Sequence, residues 1–147
     1  MKVALGQINT TIGDFRGNAA KIVDFAGRAR AAGAGLILFP ELAICGYPPR
    51  DLVEKPSFVK RNQEVLEQIA LETTGIAVIC GLVTPARAET GKTVMNSAAL
   101  IRDGKTVFLQ SKRLLPTYDV FDESRNFAPA EKQELLPFCG KTMALTV

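Results

Sequence analysis

Two unbroken apolar runs, Leu36-Ile37-Leu38-Phe39 and Ile76 to Leu82, set the strongest constraint on how this chain folds. Runs of that length without a charged residue read as strands covered on both faces, as in a parallel sheet. A helical pattern precedes each one. Ala19, Ile22, Val23, Ala26 and Ala29 share one face of a helix from about Asn18, with Lys21, Arg28 and Arg30 off that face. The Ala-Gly-Ala-Gly run at 32–35 stops it. A second helix, from about Ser57 to Thr73, carries Phe58, Val65, Leu66 and Ile69 on one side and ends at Gly75.

The rest of the chain completes the pattern. Lys2 to Ile8 reads as a first strand, and Thr10 to Gly17 is rich in turn residues. Pro40 to Pro49 is loop, punctuated by three prolines and Gly46. After a polar connection over Thr84 to Lys92, Val94–Ile101 and Thr106–Gln110 form a hairpin, with Asp103-Gly104 as the turn signal. Arg113 to Leu135 has no clear period, and loops this long are usually functional or disordered. Met143 to Val147 begins a final strand. The order is that of an α/β fold with mixed sheet pairing, in one domain without repeats or linkers.

Composition removes several function classes. The net charge is +3, from 18 basic and 15 acidic residues, too small an excess for a nucleic-acid footprint. No segment approaches the roughly 20 apolar residues of a membrane span. No secretory signal opens the sequence, so a cytoplasmic, reducing location is expected. The chain has no histidine, which removes Cys-His and Ser-His dyads and most zinc sites. Three cysteines without a Cys-x-x-Cys do not make a disulfide framework.

Candidate chemistry starts at Phe39-Pro40-Glu41. A carboxylate just past a buried strand lies where open α/β sheets place ligands. Partial desolvation there gives a carboxylate the basicity a general base needs. By position alone a solvated loop residue is the favoured reading of Glu41. Lys112, at the end of the hairpin, could hold an oxyanion, or could be a surface strand lysine. Three Gly-Lys-Thr triplets, beginning at Gly91, Gly104 and Gly140, lack the glycine five residues earlier that a phosphate loop requires and suit turns or strand starts. Cys80 and Cys139 read as buried packing thiols. Cys45 is nearest to Glu41, but four residues along one loop is poor geometry for a thiol and its base.

Taken together, four segments are more specific than any one. They are Leu38-Phe39-Pro40-Glu41-Leu42, Gly46-Tyr47-Pro48-Pro49-Arg50-Asp51-Leu52, Lys112-Arg113-Leu114-Leu115-Pro116-Thr117-Tyr118 and Val120-Phe121-Asp122-Glu123-Ser124-Arg125. The set resembles the nitrilase (carbon–nitrogen hydrolase) superfamily along effectively the whole chain. The second and fourth segments are most similar to the branch formed by the glutaminase domains of glutamine-dependent NAD+ synthetases. The resemblance implies an αββα four-layer sandwich, here about its first half, with a Glu-Lys-Cys triad. It makes Glu41 the general base and acid, and Lys112 the stabiliser of the tetrahedral intermediate. Tyr118 falls at a glutamine-contacting tyrosine, and Glu123 at a second carboxylate that orients the triad. Thr117 and Asn126 depart from the branch's usual residues.

The same resemblance implies glutamine as substrate and a separate C-terminal synthetase domain as partner. It implies no cofactor for this domain, with ATP and Mg2+ serving only the synthetase domain. It places Thr142–Val147 as the strand before the triad cysteine, so that the cysteine falls next to or very near Val147 on its far side. The alternatives are a free-standing amidase for another small amide, or a non-catalytic assembly module. Half a sandwich leaves a sheet face and strand edges uncovered. The chain is therefore expected to self-associate as a homo-oligomer. Light scattering checks this, and a stable monomer counts against it.

Overall fold

The computed structural model describes residues 1–86 and 91–147. Its centre is a five-stranded mixed sheet. In chain order the elements are β1 (Val3–Leu5), α1 (Phe15–Ala31), β2 (Leu36–Leu38), the 3-10 turn Arg50–Glu54, α2 (Pro56–Glu72), β3 (Ala77–Pro85), β4 (Val94–Arg102) and β5 (Lys105–Ser111). A one-turn helix α3 (Glu123–Asn126) and strands β6 (Leu135–Phe138) and β7 (Lys141–Ala144) follow. The five strands lie side by side in sequence order, β1-β2-β3-β4-β5. The first three are parallel and the last two antiparallel additions. The mixed α/β reading therefore holds.

Each helix starts and stops for a local reason. The Asp14 carboxylate caps α1 by accepting the Gly17 N–H at 2.9 Å. That cap starts the helix three residues before the apolar period becomes visible at Asn18. Pro56 opens α2, where its missing N–H costs nothing. Both helices turn their apolar stripes onto one sheet face. Ile22, Ala26, Val65 and Ile69 pack there against Ile37, Val78, Cys80 and Ala99.

The opposite face is not bare. Leu36, Ile79, Ala98 and Leu100 are covered by Leu136, Phe138 and Leu145 from the β6–β7 hairpin and its continuation. The expected open sheet face is thus corrected, because the aperiodic tail carries a strand, β6, that the sequence reading passed over. Its turn is Cys139-Gly140, both at positive φ (50° and 74°). The β4–β5 turn, Asp103-Gly104, has the same pattern at 50° and 77°. Cys-Gly supports this turn geometry without the usual Asn or Asp signal. Cys139 is consequently exposed rather than a buried packing thiol. Edge strands keep exposed apolar side chains, including Leu5 on β1 and Val107 on β5.

All three Gly-Lys-Thr triplets lead into strands, after glycines at φ 92°, 77° and 74°. Of the expected polar connection, Thr84 and Pro85 belong to β3, and residues 87–90 lie outside the described residues.

β2 stops at Leu38, so β3 continues with one side unpaired. Asn62 of α2 satisfies part of that side. Its Oδ1 accepts the buried Val83 N–H at 3.1 Å, while its Nδ2 donates to the Phe58 carbonyl at 3.0 Å. Asn62→Leu leaves the Val83 amide buried without a partner. We expect a loss of about 1–3 kcal/mol, read from the urea midpoint at unchanged m-value.

Candidate active site

The site forms where the carboxyl ends of β2, β3 and β5 meet the start of β4. Past β2 the chain clings to the unpaired side of β3. The Phe39 N–H donates to the Ile79 carbonyl at 2.8 Å, and the Ile44 N–H to the Gly81 carbonyl at 3.1 Å. Between those anchors Leu42 adopts φ 48° and is fully buried. This left-handed kink is uncommon for a branched apolar side chain, and it turns Glu41 outward. Gly81 makes room for it. A Cβ there would lie 2.2 Å from the Leu42 nitrogen and 2.9 Å from the Glu41 carbonyl carbon.

Further bonds tie this loop to its neighbours. Asn18, buried in the first turns of α1, pairs with both backbone groups of Thr11 and donates to the Ile44 carbonyl at 3.2 Å. The Gly13 N–H reaches the Cys45 carbonyl at 2.8 Å. The loops after β1 and β2 therefore form one packed surface.

Lys112 is the first residue beyond β5. Its N–H donates to the Asn96 carbonyl at 2.8 Å, extending the β4–β5 ladder by one bond. Its own carbonyl accepts the Ala130 N–H at 2.9 Å, which brings the long segment back to the sheet. Within that segment Asp122 precedes α3, and the Phe127 N–H closes the turn on the Glu123 carbonyl at 2.9 Å. Phe127 is buried among Leu42, Val53 and Val83, and this anchor sets Glu123 beside Lys112.

The side chains then converge. Lys112 Nζ lies 2.7 Å from Glu41 Oε1, 3.1 Å from Glu123 Oε1 and 3.0 Å from Glu123 Oε2. The Tyr47 hydroxyl donates to Glu123 Oε1 at 3.0 Å, and the Asn96 amide donates to Glu41 Oε1. The Lys112 and Glu123 side chains are 10% and 5% exposed, whereas that of Glu41 is 35% exposed. One carboxylate is thus structural and buried, and the other faces the solvent side. Burial by itself works to lower the Lys112 ammonium. Hydrogen bonds and charge from Glu41 and Glu123 outweigh it and hold the group above its ordinary range. The Tyr47 phenol is pushed up, by burial first and then by Glu123 and Glu41. Lys112 is therefore a permanent cation at neutral pH. Beside Glu123 and Tyr47 opens a cavity of about 470 Å³, bordered also by Arg50, Asp51, Asp122 and Arg125.

Three of the four residues marked in the sequence, Glu41, Lys112 and Glu123, come together. Tyr118 does not join them. It is 68% exposed and packs edge-on to Phe121, which in turn packs against Tyr47. Sequence reasoning assigned no role to Tyr47, Asn96 or Gly81. A polar residue inside the apolar run of β4 was the available signal for Asn96. Cys45 is wholly buried, and burial pushes its thiol up to about 12. The same cause pushes Cys80 up to about 12.

Residues 2–142 match the carbon–nitrogen hydrolase family. The glutamine-dependent NAD+ synthetase of Synechocystis sp. is 46% identical over 149 residues, covering 99% of this chain and 27% of that protein. The synthetase of Thermotoga maritima is 37% identical over 134 residues, covering 90% and 22%. Among solved structures, the glutamine-dependent NAD+ synthetase of Acinetobacter baumannii, in complex with ADP, superposes with a TM-score of 0.89 at 35% identity. That match covers 98% of this chain and 27% of the other. An amidase from Nesterenkonia sp. superposes at 0.84 with 28% identity, covering 99% and 54%. A further structure of that amidase carries acrylamide added at its active site cysteine. The chain spans about a quarter of the length of the curated relatives it matches.

Three stability measurements check the geometry. Gly81→Ala drives a methyl into the Glu41–Leu42 backbone, and overpacking of this kind costs about 1–3 kcal/mol. Lys112→Met leaves Glu123 buried and uncompensated, with an expected loss of about 3–5 kcal/mol. Glu41→Gln, at the half-exposed end of the cluster, costs less than either. Chemical denaturation reads all three, and an equal loss for Glu41→Gln and Lys112→Met contradicts the division of roles.

Proposed function

Because the chain belongs to the carbon–nitrogen hydrolase family, we propose that it supplies the acid–base carboxylate and the cationic partner of a glutamine-hydrolysing site. The observation that carries this reading is the Lys112 ammonium held between buried Glu123 and half-exposed Glu41. A cation fixed in that way stabilises a developing oxyanion without reorganising. A carboxylate open to solvent on one side can exchange protons with a bound substrate.

The reaction follows from those two roles. Glu41 takes the proton of an attacking thiol as sulfur bonds to the side-chain amide carbon of glutamine. Lys112 holds the resulting oxyanion. Collapse breaks the carbon–nitrogen bond, and Glu41 returns the proton to the departing ammonia. Water then attacks the thioester, giving its proton to Glu41; the carbon–sulfur bond breaks, Glu41 returns that proton to the departing sulfur, and glutamate leaves. Glu123 and Tyr47 keep the ammonium in place. Arg50, Arg125, Asp51 and Asp122 around the adjoining cavity offer charges of both signs, which suits the zwitterionic end of an amino acid. Tyr118 contacts the substrate from the open side.

The thiol comes from outside these 147 residues. Cys45 is buried among Leu42, Val53 and Phe58, with its thiol directed to the Gly46 carbonyl. Cys80 sits in the core under the helices, and Cys139 lies at a turn against Met1. The resemblance carried by the four sequence segments extends the proposal. Ammonia released here serves ATP-dependent, Mg2+-dependent amidation of deamido-NAD+ in a synthetase domain, in a cytoplasmic homo-oligomer. Among the described residues no helix is long and apolar enough to cross a membrane. The similarity to the Nesterenkonia amidase supports a second reading, hydrolysis of another small amide at the same site.

Ammonia release tests the proposal. The isolated chain should release none from glutamine, and Cys45→Ser should change nothing. The full-length gene product should release it, and Glu41→Gln should reduce kcat by about 100-fold to 10,000-fold. Lys112→Met should reduce it by about 100-fold or more. Release by the isolated chain that Cys45→Ser abolishes would overturn the external thiol. A preference for simple primary amides over glutamine would favour the second reading.

A further inference from the structure

Asn96 is wholly buried in β4, yet it touches both members of the cluster that act on substrate. Its backbone carbonyl accepts the Lys112 N–H at 2.8 Å. Its side-chain amide donates to Glu41 Oε1, the oxygen that also receives the Lys112 ammonium at 2.7 Å. Among the described residues no group donates to Glu41 Oε2. The two carboxylate oxygens are therefore unequal: one carries two donors and the other none.

The orientation of the amide is set by charge. Turning it over would bring its carbonyl oxygen against the carboxylate. As it stands, Asn96 Oδ1 is buried without a hydrogen-bond partner among the described residues. An unsatisfied buried acceptor is unfavourable, and an apolar residue at this strand position would avoid it. The strand keeps the cost in exchange for one directed bond to Glu41. That pattern belongs to a group that orients a reactive one rather than to core packing.

We infer that Asn96 is a positioning residue, which with Lys112 engages Oε1 of Glu41 and leaves Oε2 as the oxygen that takes and returns the proton. This rests on the proposed acid–base role of Glu41. In the first step the thiol proton moves to Oε2, and in the second the same oxygen gives it to the leaving ammonia. With Oε1 engaged, the carboxylate cannot rotate about its terminal torsion, so the accepting lone pair stays aimed at one place. Loss of that aim should affect turnover more than binding.

Two measurements separate this inference from the reading beneath it. The first needs no activity. In the 147-residue chain, the Asn96 side-chain amide signals are assigned by their loss in Asn96→Ser. One of the two protons should lie well downfield, and it should move upfield in Glu41→Gln, a change at a half-exposed position that spares the fold. Amide signals unaffected by Glu41→Gln overturn the inference. The second uses ammonia release from glutamine by the full-length gene product. Asn96→Ser should lower kcat by about 100-fold with KM within about threefold, and should displace the acid limb of the kcat profile. Asn96→Asp, of the same shape but the wrong charge, should not restore it. Inactive Glu41→Gln with unchanged kcat and pH profile in Asn96→Ser sinks the inference alone. Full activity in Glu41→Gln sinks the acid–base reading and the inference with it.

Discussion

The Lys112 ammonium is the point on which the arrangement depends. Two carboxylates from distant parts of the chain share it, Glu41 from the loop after β2 and Glu123 from the one-turn helix α3. Without the cation, Glu123 would be an isolated buried charge, a strongly unfavourable state. Without Glu123, the long segment after β5 would lose its ionic contact with Lys112 and keep Phe127 and backbone bonds such as Ala128 to Val94 and Ala130 to Lys112. The ion cluster thus joins the last third of the chain to the loops built by the first third.

The sheet supplies the precision. β2 is three residues long and β3 nine, and this mismatch creates the unpaired stretch of β3 that the Glu41 loop occupies. Gly81 lets the loop approach to backbone contact, and the Leu42 kink turns the carboxylate outward. On the other side of β3, β4 carries Asn96 opposite Val83, whose own N–H is taken by Asn62 of α2. One short strand therefore opens a place for the base, and its neighbours complete it with backbone and amide hydrogen bonds. A proposed acid–base group placed on rigid strands in this way needs little adjustment when substrate arrives.

The same mixed pairing explains why the chemistry gathers at one end. β1, β2 and β3 run in one direction and deliver their loops there. β4 runs back, so its beginning lies at that end, and β5 returns to bring Lys112 beside it. The opposite face of the sheet meets the β6–β7 hairpin, which takes no part in the cluster.

Much of the framework was legible in the residues alone. Apolar runs and helical stripes identified β2, β3, α1 and α2, because those signals reflect burial that every sequence-neighbouring position shares. Asp103-Gly104 marked its hairpin, because two consecutive left-handed residues favour that pair. Glu41, Lys112 and Glu123 were identified by resemblance, and none was convincing by position. The Cys139-Gly140 turn, β6, the helix α3 and the exposure of Tyr118 were not legible, since none has a local period or a usual turn pair. Asn96 and Gly81 could not be assigned either. Their importance lies in what faces them from 55 and 39 residues away, and only the folded sheet brings those partners within reach. Local pattern therefore determined which segments are strands and helices. The tertiary structure decided which charge meets which, because an ion cluster is a property of distances between segments that share no local sequence.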